Sequence, residues 1–352
     1  MTHPGDHQNR FYILFAIILV IGLFRCSPLP RQETSHKLRS FSAEPNEATV
    51  LSEKITLSLN FKAGTKNRYQ VKTETVMAME NPETVIGSKA LADTFLEVSE
   101  TSEVVFTQEI LGPLPEDVNT AVALITINQV KYIRTSPGQV DLAFDSKEPS
   151  DQNSPFARLI GQTYTIEIDS LGYVPGVFNL RPARLAVRGH APAHTAALEM
   201  VSPPAIFTRH GFFSLPGPDV GSLAVGDKWR GMQQYTLSVP GTNMNPLGTH
   251  RFEKIYWLQG IKQQPVGTVA EVVFEGSPIP RKTQNGQPAN VPFLSCSYEG
   301  GGEFNLDAGR IEDYLEHLEV RMPLSEIELP PDGEGSIIIA TRSCWVQRLD
   351  LD

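Results

Sequence analysis

The chain has few cysteines, and their spacing is unlike that of a zinc site. Its 352 residues include Cys26, Cys296 and Cys344, with no CxxC pair. Structural zinc sites draw their ligands from closely spaced cysteine and histidine pairs, so a structural zinc is not expected. Cys296 and Cys344 lie in strand-like segments and form a candidate disulfide in an oxidising compartment. Two buried free thiols are the alternative.

Positive charge is scarce as well. The chain has 30 Lys and Arg residues against 40 Asp and Glu residues, which gives a formal net charge of −10. Nucleic acids and anionic membrane surfaces attract basic proteins. The composition therefore predicts no nucleic-acid partner, and membrane contact only through the N-terminal segment described below.

The common catalytic and nucleotide-binding motifs are absent. The sequence contains no GxSxG elbow, no P-loop and no GxGxxG that follows a strand. The glycine run Gly300–Gly302 precedes a strand-like segment, so no helix dipole would support a phosphate there, and a bend or bulge is predicted instead. No cofactor and no catalytic residues are predicted, and the protein is not expected to be an enzyme.

The best metal candidate is the segment HAPAH, in which His190 and His194 are four residues apart. On a helix this spacing places two imidazoles on one face, as in zinc hydrolases. The general-base glutamate of that motif is missing, because Ala191 stands in its place, and Pro192 lies between the histidines. Two solvent-facing histidines are favoured. A metal-assisted hydrolase that uses His190 and His194 and binds stoichiometric zinc is the alternative.

One long apolar run lies near the N-terminus. Residues 11–24 form 14 consecutive apolar positions, followed by Arg25. The run is short for a bilayer span and typical of the central region of a signal peptide. Residues 1–26 are therefore predicted to be a signal peptide or a membrane anchor, which places the protein in the periplasm, the cell envelope or outside the cell. Cys26 is a candidate for lipidation, although Phe24 and Arg25 stand where lipoprotein signals have small residues.

The clearest β-hairpin signal is the segment Gly161–Val177. Tyr164, Ile166 and Ile168 alternate with polar residues, which is the pattern of a strand with one buried face. The turn that follows contains aspartate and glycine, and Pro175 cannot donate to a ladder. We therefore predict a short returning strand at the edge of a sheet.

Two other segments leave alternatives open. Residues 121–133 form a nearly continuous apolar run rich in β-branched residues, which predicts a central strand covered on both faces, a buried helix being the alternative. Residues 300–322 fit both helical and strand spacing, and the pattern favours strand, turn and strand.

The chain divides into a polar tether and two β-rich halves. Residues 27–50 lack apolar periodicity and predict a flexible tether, 51–183 a first β half, and 184–220 a crossover with a short helix. Residues 221–352 form the second half, whose opening GDKWRGMQQYTLSV resembles GTKNRYQVKTETVM of the first. The predicted fold is mainly β, with antiparallel sheets in two related halves, as a sandwich or a curved half-barrel.

Four short segments also resemble a known family. They are DLAFDS, GQTYTIEIDSLGYVPGV, FFSLP with VGDKW, and GGGEFNLDAGRI. Together they resemble a widespread family of exported bacterial proteins of unknown function, which are often lipoproteins. The resemblance extends over residues 55–349 and implies a mostly β build with no assigned activity and no catalytic residues. The chain departs from the lipoprotein form at Phe24 and Arg25.

Two further groups of side chains could contribute to a site. The acidic residues of the segment 312–319 are expected to form a solvated face; they are Glu312, Asp313, Glu316 and Glu319. Trp229 and Trp257 could line a groove, but aromatic residues in strands are more often part of the core.

These observations predict an exported, noncatalytic protein of the cell envelope with a binding or scaffold role. Its partner would be an unknown envelope protein or an apolar ligand. A carrier that holds a lipid or another apolar ligand against a curved sheet is the alternative. A continuous apolar cavity would distinguish the carrier from a scaffold with a filled core.

Overall fold

The computed structural model describes residues 54–80, 96–211, 213–236, 249–280, 293–323 and 337–351. The predicted signal segment, Cys26 and the tether at 27–50 lie outside the described residues. Within these ranges, no helix is both long and apolar enough to cross a membrane. The described chain is mainly β, as predicted, with a short helical crossover between two runs of strands.

The strands form one antiparallel sheet, which has twelve strands in the described part of the chain. Their bounds are β1 Lys66–Glu80, β2 Leu96–Leu114, β3 Asp117–Ser136, β4 Gln139–Asp145, β5 Thr163–Asp169, β6 Gly176–Phe178, β7 Lys228–Thr236, β8 Thr249–Gln264, β9 Gly267–Pro278, β10 Ser295–Asn305, β11 Arg310–Pro323 and β12 Ile337–Leu349.

The strand order places the strands that precede the crossover and those that follow it side by side in this sheet. It runs β6-β5-β3-β2-β1-β12-β11-β10-β9-β8-β7, and β4 pairs with β3 beside this path. The first half starts at the centre of the sheet and reaches one edge at β6. The second half starts at the other edge with β7 and returns to the centre, where β12 pairs with β1 along 13 register positions. Neighbouring strands in each half are mostly consecutive in the chain, as hairpin connections favour.

The sheet is strongly curved. Tyr235 on β7 and Glu316 on β11 are four strand positions apart, which is about 19 Å in a flat sheet. The hydroxyl of Tyr235 nevertheless lies 2.7 Å from Oε1 of Glu316. The side chains of the second half therefore converge on an inner face, and a single curved sheet that does not close is found instead of a two-sheet sandwich.

The crossover contains three helices, α1 Arg181–Ala186, α2 Pro192–Met200 and α3 Pro203–His210. Two short 3-10 helices, Pro149–Asp151 and Pro155–Leu159, precede them. Each α-helix has a proline in its first turn. Proline is tolerated there because the N–H groups of the first turn have no acceptor within the helix. The proline pair at 203–204 begins α3, where the Ser202 hydroxyl accepts the N–H of Ala205 at 3.3 Å.

The hairpin prediction is confirmed. The three alternating residues Tyr164, Ile166 and Ile168 are buried on β5, and β6 has only three residues and lies at an edge. The carboxylate of Asp169 accepts the N–H groups of Leu171 and Tyr173 at 3.0 and 2.9 Å and shapes the turn.

The two ambiguous segments are strands. The run 121–133 lies within β3, between β2 and β5, and its burial alternates, so one face is fully buried and the other only partly. Residues 300–322 form parts of β10 and β11. Gly300–Gly302 lies inside β10, where a Cβ on Gly301 would come 2.6 Å from the carbonyl oxygen of Val272, and a register shift follows at 303/304. The predicted bulge therefore comes just after the glycine run.

The candidate disulfide is not formed. Cys296 and Cys344 are both free thiols, half-buried and buried respectively. Cys296 lies on β10 and Cys344 on β12, and β11 runs between these strands. Cys344 is the register partner of Glu316, whereas Cys296 is the partner of Val320, so the two sulfurs are also offset along the strands. The alternative of two free thiols is the one observed.

Candidate functional site

A cavity of about 770 Å³ lies between the inner face of the sheet and helices α2 and α3. The central strands β1, β2 and β12, the edge strand β7 and both helices contribute to its lining. Edge and central strands can line one cavity because the sheet curves around the helices. The cavity is therefore a direct product of the fold.

The floor of the cavity is a polar band across the three central strands. Its polar residues are Thr73, Thr75, Glu100, Ser102 and Arg342. Thr75 pairs in register with Glu100 on one side and with Arg342 on the other, and Thr73 pairs with Ser102. Residues that pair in register project from the same face of a sheet. These five side chains are therefore neighbours on one face.

The opposite wall of the cavity carries both apolar and polar side chains. Helices α2 and α3 and the residue before α3 contribute the apolar residues Ala196, Met200, Ala205 and Phe207, and the polar residues Glu199, Ser202, Thr208 and Arg209. Phe207 and Met232 of β7 remain 39% and 38% exposed although they line the cavity, which places apolar surface at its rim. The cavity thus combines a mostly polar floor with a roof, formed by α2 and α3, and a rim that bear apolar side chains beside polar ones.

A network of buried charges lies beside one end of the floor, on the same face of the sheet. Glu316 is 1% exposed. Its Oε1 accepts hydrogen bonds from Tyr235 and Arg342, both at 2.7 Å. Its Oε2 accepts from Lys254 at 3.0 Å and from the hydroxyls of two further tyrosines, Tyr298 and Tyr314, both at 2.8 Å. A carboxylate offers about four acceptor positions, so this one is saturated with donors.

The donors keep Glu316 ionised despite its burial. Burial raises its pKa, but the Lys254 ammonium, the Arg342 guanidinium and the tyrosine hydroxyls outweigh that effect and lower the pKa to about 2. Burial lowers the pKa of Lys254, and Glu316 opposes this shift. The ammonium also lies 4.4 Å from the ring centre of Phe274 and 4.8 Å from that of Tyr298. Two positive charges thus surround one negative charge.

Arg342 connects this network to the cavity. Its side chain is 11% exposed and lines the cavity, while its NH1 group donates to Glu316. Its guanidinium carbon lies 4.8 Å from the ring centre of Tyr235, which lines the cavity as well. Stacking and the hydrogen bond to Glu316 together restrict the guanidinium to one orientation.

The opposite end of the cavity is acidic. Glu199 of α2 and Glu100 of β2 both line the cavity. The pKa of Glu199 is raised by partial burial and by the negative charge of Glu100, whereas Arg134 acts in the opposite direction. Arg134 is the register partner of Glu100 on β3. The cavity is thus polarised, with Arg342 on the β12 side and two carboxylates toward β2 and α2.

The sequence-predicted metal ligands lie outside this cavity. His190 is exposed and precedes α2, which begins at Pro192, so the two histidines are not on one helical face. His194 lies in α2, and its Nδ1 atom is buried without a hydrogen-bond partner. Within the described ranges, no group of three or more His, Cys, Asp and Glu residues could hold a metal ion.

The tryptophans occupy two different environments. Trp229 is buried, stacks on Tyr256 and donates its indole N–H to the carbonyl oxygen of Ser214 at 2.8 Å. Trp257 is half-buried, with the Lys228 ammonium 5.6 Å from its ring centre. Neither residue lines the cavity.

The prediction of a solvated acidic face was wrong for Glu316. On β11 the buried positions alternate, and Glu316 lies between buried Tyr314 and Leu318. The sequence signal was therefore a charged residue in phase with core residues of a strand. The same signal marks Lys254, which lies between Phe252 and Tyr256 on β8.

The solved structures to which this chain is similar share little sequence with it. No known protein family and no curated protein matches the chain. A lipovitellin structure that concerns lipid-protein interactions is 11% identical, with a TM-score of 0.38, and the alignment spans 83% of this chain but only 26% of lipovitellin. DynF from the dynemicin biosynthesis pathway of Micromonospora chersina is 7% identical over 93% of this chain and 94% of its own, with a TM-score of 0.17. These scores are too low to support an inference about fold or function.

Proposed function

We propose that the protein is a noncatalytic binding protein of the cell envelope that holds a small amphipathic molecule in the cavity. The observation that supports this most is the mixed lining, in which polar residues of the floor such as Thr75 and Arg342 occur together with apolar residues of the roof such as Met200, Ala205 and Phe207. A ligand with one polar and one apolar side would satisfy both walls, because buried polar groups need hydrogen-bond partners and apolar surface gains from burial.

The dimensions of the cavity are compatible with such a ligand. A volume of about 770 Å³ falls within the range of roughly 300–1,000 Å³ that is typical of small-molecule sites. Within the carrier alternative, which allows a lipid or another apolar ligand, the mixed lining favours an amphipathic molecule over a fully apolar one. Phe207 and Met232 at the rim would contact the apolar part of the ligand as it enters.

Binding of n-decanol, which is neutral and amphipathic, tests this proposal. Isothermal titration calorimetry should show saturable binding to the wild-type protein. Ala205→Trp places a large side chain in the roof and should abolish the binding, because Ala205 lines the cavity. Thr195→Trp is the matched control, since Thr195 is an exposed residue of α2 that does not line the cavity.

Two outcomes would count against the cavity. The first is an absence of decanol binding to the wild-type protein, which would favour the scaffold role. The second is binding that Ala205→Trp leaves unchanged while circular dichroism shows an intact fold. In that case the probe would bind elsewhere on the molecule.

An exported location is part of the same proposal. It depends on the apolar run at 11–24, which is typical of a signal peptide. Fractionation of cells that produce the full chain should place it in the periplasm or the envelope. Intact mass then distinguishes removal of the N-terminal segment from its retention, and a Cys26→Ser variant tests lipidation. Recovery of the unprocessed chain in the cytoplasm would contradict the proposed location.

A further inference from the structure

We propose that Arg342 forms an anion-binding subsite in the cavity floor, so that the polar end of the ligand is a carboxylate or a phosphate group. This inference rests on the proposed function, because it names the chemistry of the molecule that the cavity would hold. It starts from the position of one arginine between a buried carboxylate and an accessible space.

Arg342 has donors left over for a ligand. A guanidinium carries five N–H donors. Within the described part of the chain, the hydrogen bond that Arg342 makes is the one from NH1 to Oε1 of Glu316 at 2.7 Å. The side chain is nine-tenths buried and lines the cavity. Its remaining donors can therefore be met by a ligand in the cavity, and an arginine binds carboxylate or phosphate oxygens in pairs.

The buried charges beside the floor also favour an anion at Arg342. Lys254 and Arg342 carry two positive charges, and Glu316 carries one negative charge. A net positive charge in a buried network is unfavourable unless another charge compensates it. An anionic group beside Arg342 would supply that compensation. Glu316 and the Tyr235 ring hold the guanidinium in place before the ligand arrives, which reduces the entropy lost on binding.

Hydroxyl groups next to Arg342 complete the subsite. Thr75 is the register partner of Arg342 on β1, and Thr73 and Ser102 lie in the adjacent row of the floor. All three line the cavity. The Thr75 hydroxyl can donate a hydrogen bond to an anion oxygen that Arg342 does not reach, whereas the Thr73 hydroxyl donates to Sγ of Cys344 at 4.0 Å.

The carboxylates of Glu100 and Glu199 oppose an anion in the same cavity. Glu100 lies on the far side of Thr75 from Arg342, next to its register partner Arg134. The anion is therefore expected at the β12 end of the floor, with the apolar part of the ligand under α3. We therefore expect that removal of the Glu100 charge strengthens anion binding, since like charges repel each other across the cavity.

The test compares decanoate with n-decanol, which have the same chain length and differ in the charge of the polar end. Calorimetry on the wild-type protein should show decanoate binding about tenfold or more tightly than decanol, as expected for charge-assisted hydrogen bonds. Arg342→Met should remove this preference, because it should weaken decanoate binding much more than decanol binding. Glu100→Gln should increase decanoate affinity, and Thr75→Val should weaken decanoate more than decanol.

The outcomes separate this inference from the proposed function. Equal affinity for decanoate and decanol in the wild-type protein, with both abolished by Ala205→Trp, would overturn the anion subsite and leave the cavity function standing. A preference for decanoate that survives in folded Arg342→Met would also overturn it. If Arg342→Met does not fold, Thr75→Val and Glu100→Gln test the subsite instead. A decanoate affinity that is unchanged in both variants would contradict the proposal. Binding of neither probe would overturn the proposed function itself.

Discussion

The guanidinium of Arg342 lies 2.7 Å from Oε1 of Glu316, although the two residues are not register partners. Arg342 on β12 pairs with Leu318 on β11, and Glu316 pairs with Cys344. The contact is therefore a diagonal one between neighbouring strands, within reach of long side chains. The contact joins the cavity floor to a carboxylate that side chains from β7, β8 and β10 also contact. Glu316 of β11 therefore connects five strands of the second half, including β12 at the centre of the sheet.

Removal of the Glu316 charge should destabilise the fold strongly. Glu316→Ala leaves Lys254 and Arg342 buried without their counter-charge, and breaking a buried ion pair in this way costs about 3–5 kcal/mol. Urea denaturation, followed by circular dichroism, measures the loss. Glu319→Ala on the same strand is the control. Glu319 pairs with Arg321 at 3.7 Å, and both side chains are over 40% exposed. The control substitution should therefore lower the free energy of unfolding by about 1 kcal/mol or less. Similar losses for the two variants would contradict the role given to the network.

Acid should weaken the protein through the same residue. The pKa of Glu316 is about 2 in the folded protein, against an ordinary value of 4.5. Its contribution to stability is therefore complete above about pH 4.5 and is lost as the pH falls toward 2, because the unfolded chain takes up the proton first. The midpoint of urea denaturation should fall steeply across this window in the wild-type protein. The slope should be shallower in Glu316→Gln, and equal slopes would refute the assignment.

His210 should add a second acid-sensitive step at higher pH. Its Nε2 lies 2.8 Å from the hydroxyl of Tyr164, and burial together with the charge of Arg209 lowers its pKa well below 6.5. The unfolded chain therefore binds a proton first, so the stability contributed by neutral His210 is lost as the pH falls below about 6.5. His210→Gln should reduce the pH dependence between neutrality and pH 5 in urea denaturation. Tyr164→Phe, which removes only the hydroxyl, should cost about 1 kcal/mol.

The two described thiols should differ in accessibility while remaining unlinked. Burial raises the pKa of both Cys296 and Cys344 to about 11, and Cys344 is the more deeply buried of the two. In the folded protein we expect Ellman's reagent to label Cys296 slowly and Cys344 only after unfolding, since the thiolate is the reactive form. Comparison of Cys296→Ser with Cys344→Ser assigns each label. A native mass lower by two hydrogens, restored by reductant in the wild type alone, would show that a disulfide forms after all.

Much of the architecture follows from local patterns. Alternation predicted β5, because a period of two is a property of each strand alone, and Pro175, which cannot donate to a ladder, predicted the short edge strand β6. Residues 300–322 fitted both helical and strand spacing, and the favoured strand interpretation is the one found. The disulfide prediction failed because strand order, which places β11 between the cysteines, is a long-range property.

The site itself was beyond sequence reasoning for a related physical cause. Lys254, Glu316 and Arg342 each stand in phase with core residues, and this signal can be read from each strand alone. Their pairing depends on which strands are neighbours and on how strongly the sheet curves. Local periodicity predicts neither the strand order nor the curvature. The sequence by itself determined a mainly β chain in two halves with a proline-rich crossover, because these features arise from side chains near one another in the chain. Only the tertiary structure decided that the sheet bends around α2 and α3 and encloses a polar-floored cavity, because curvature results from packing between residues that are far apart in sequence.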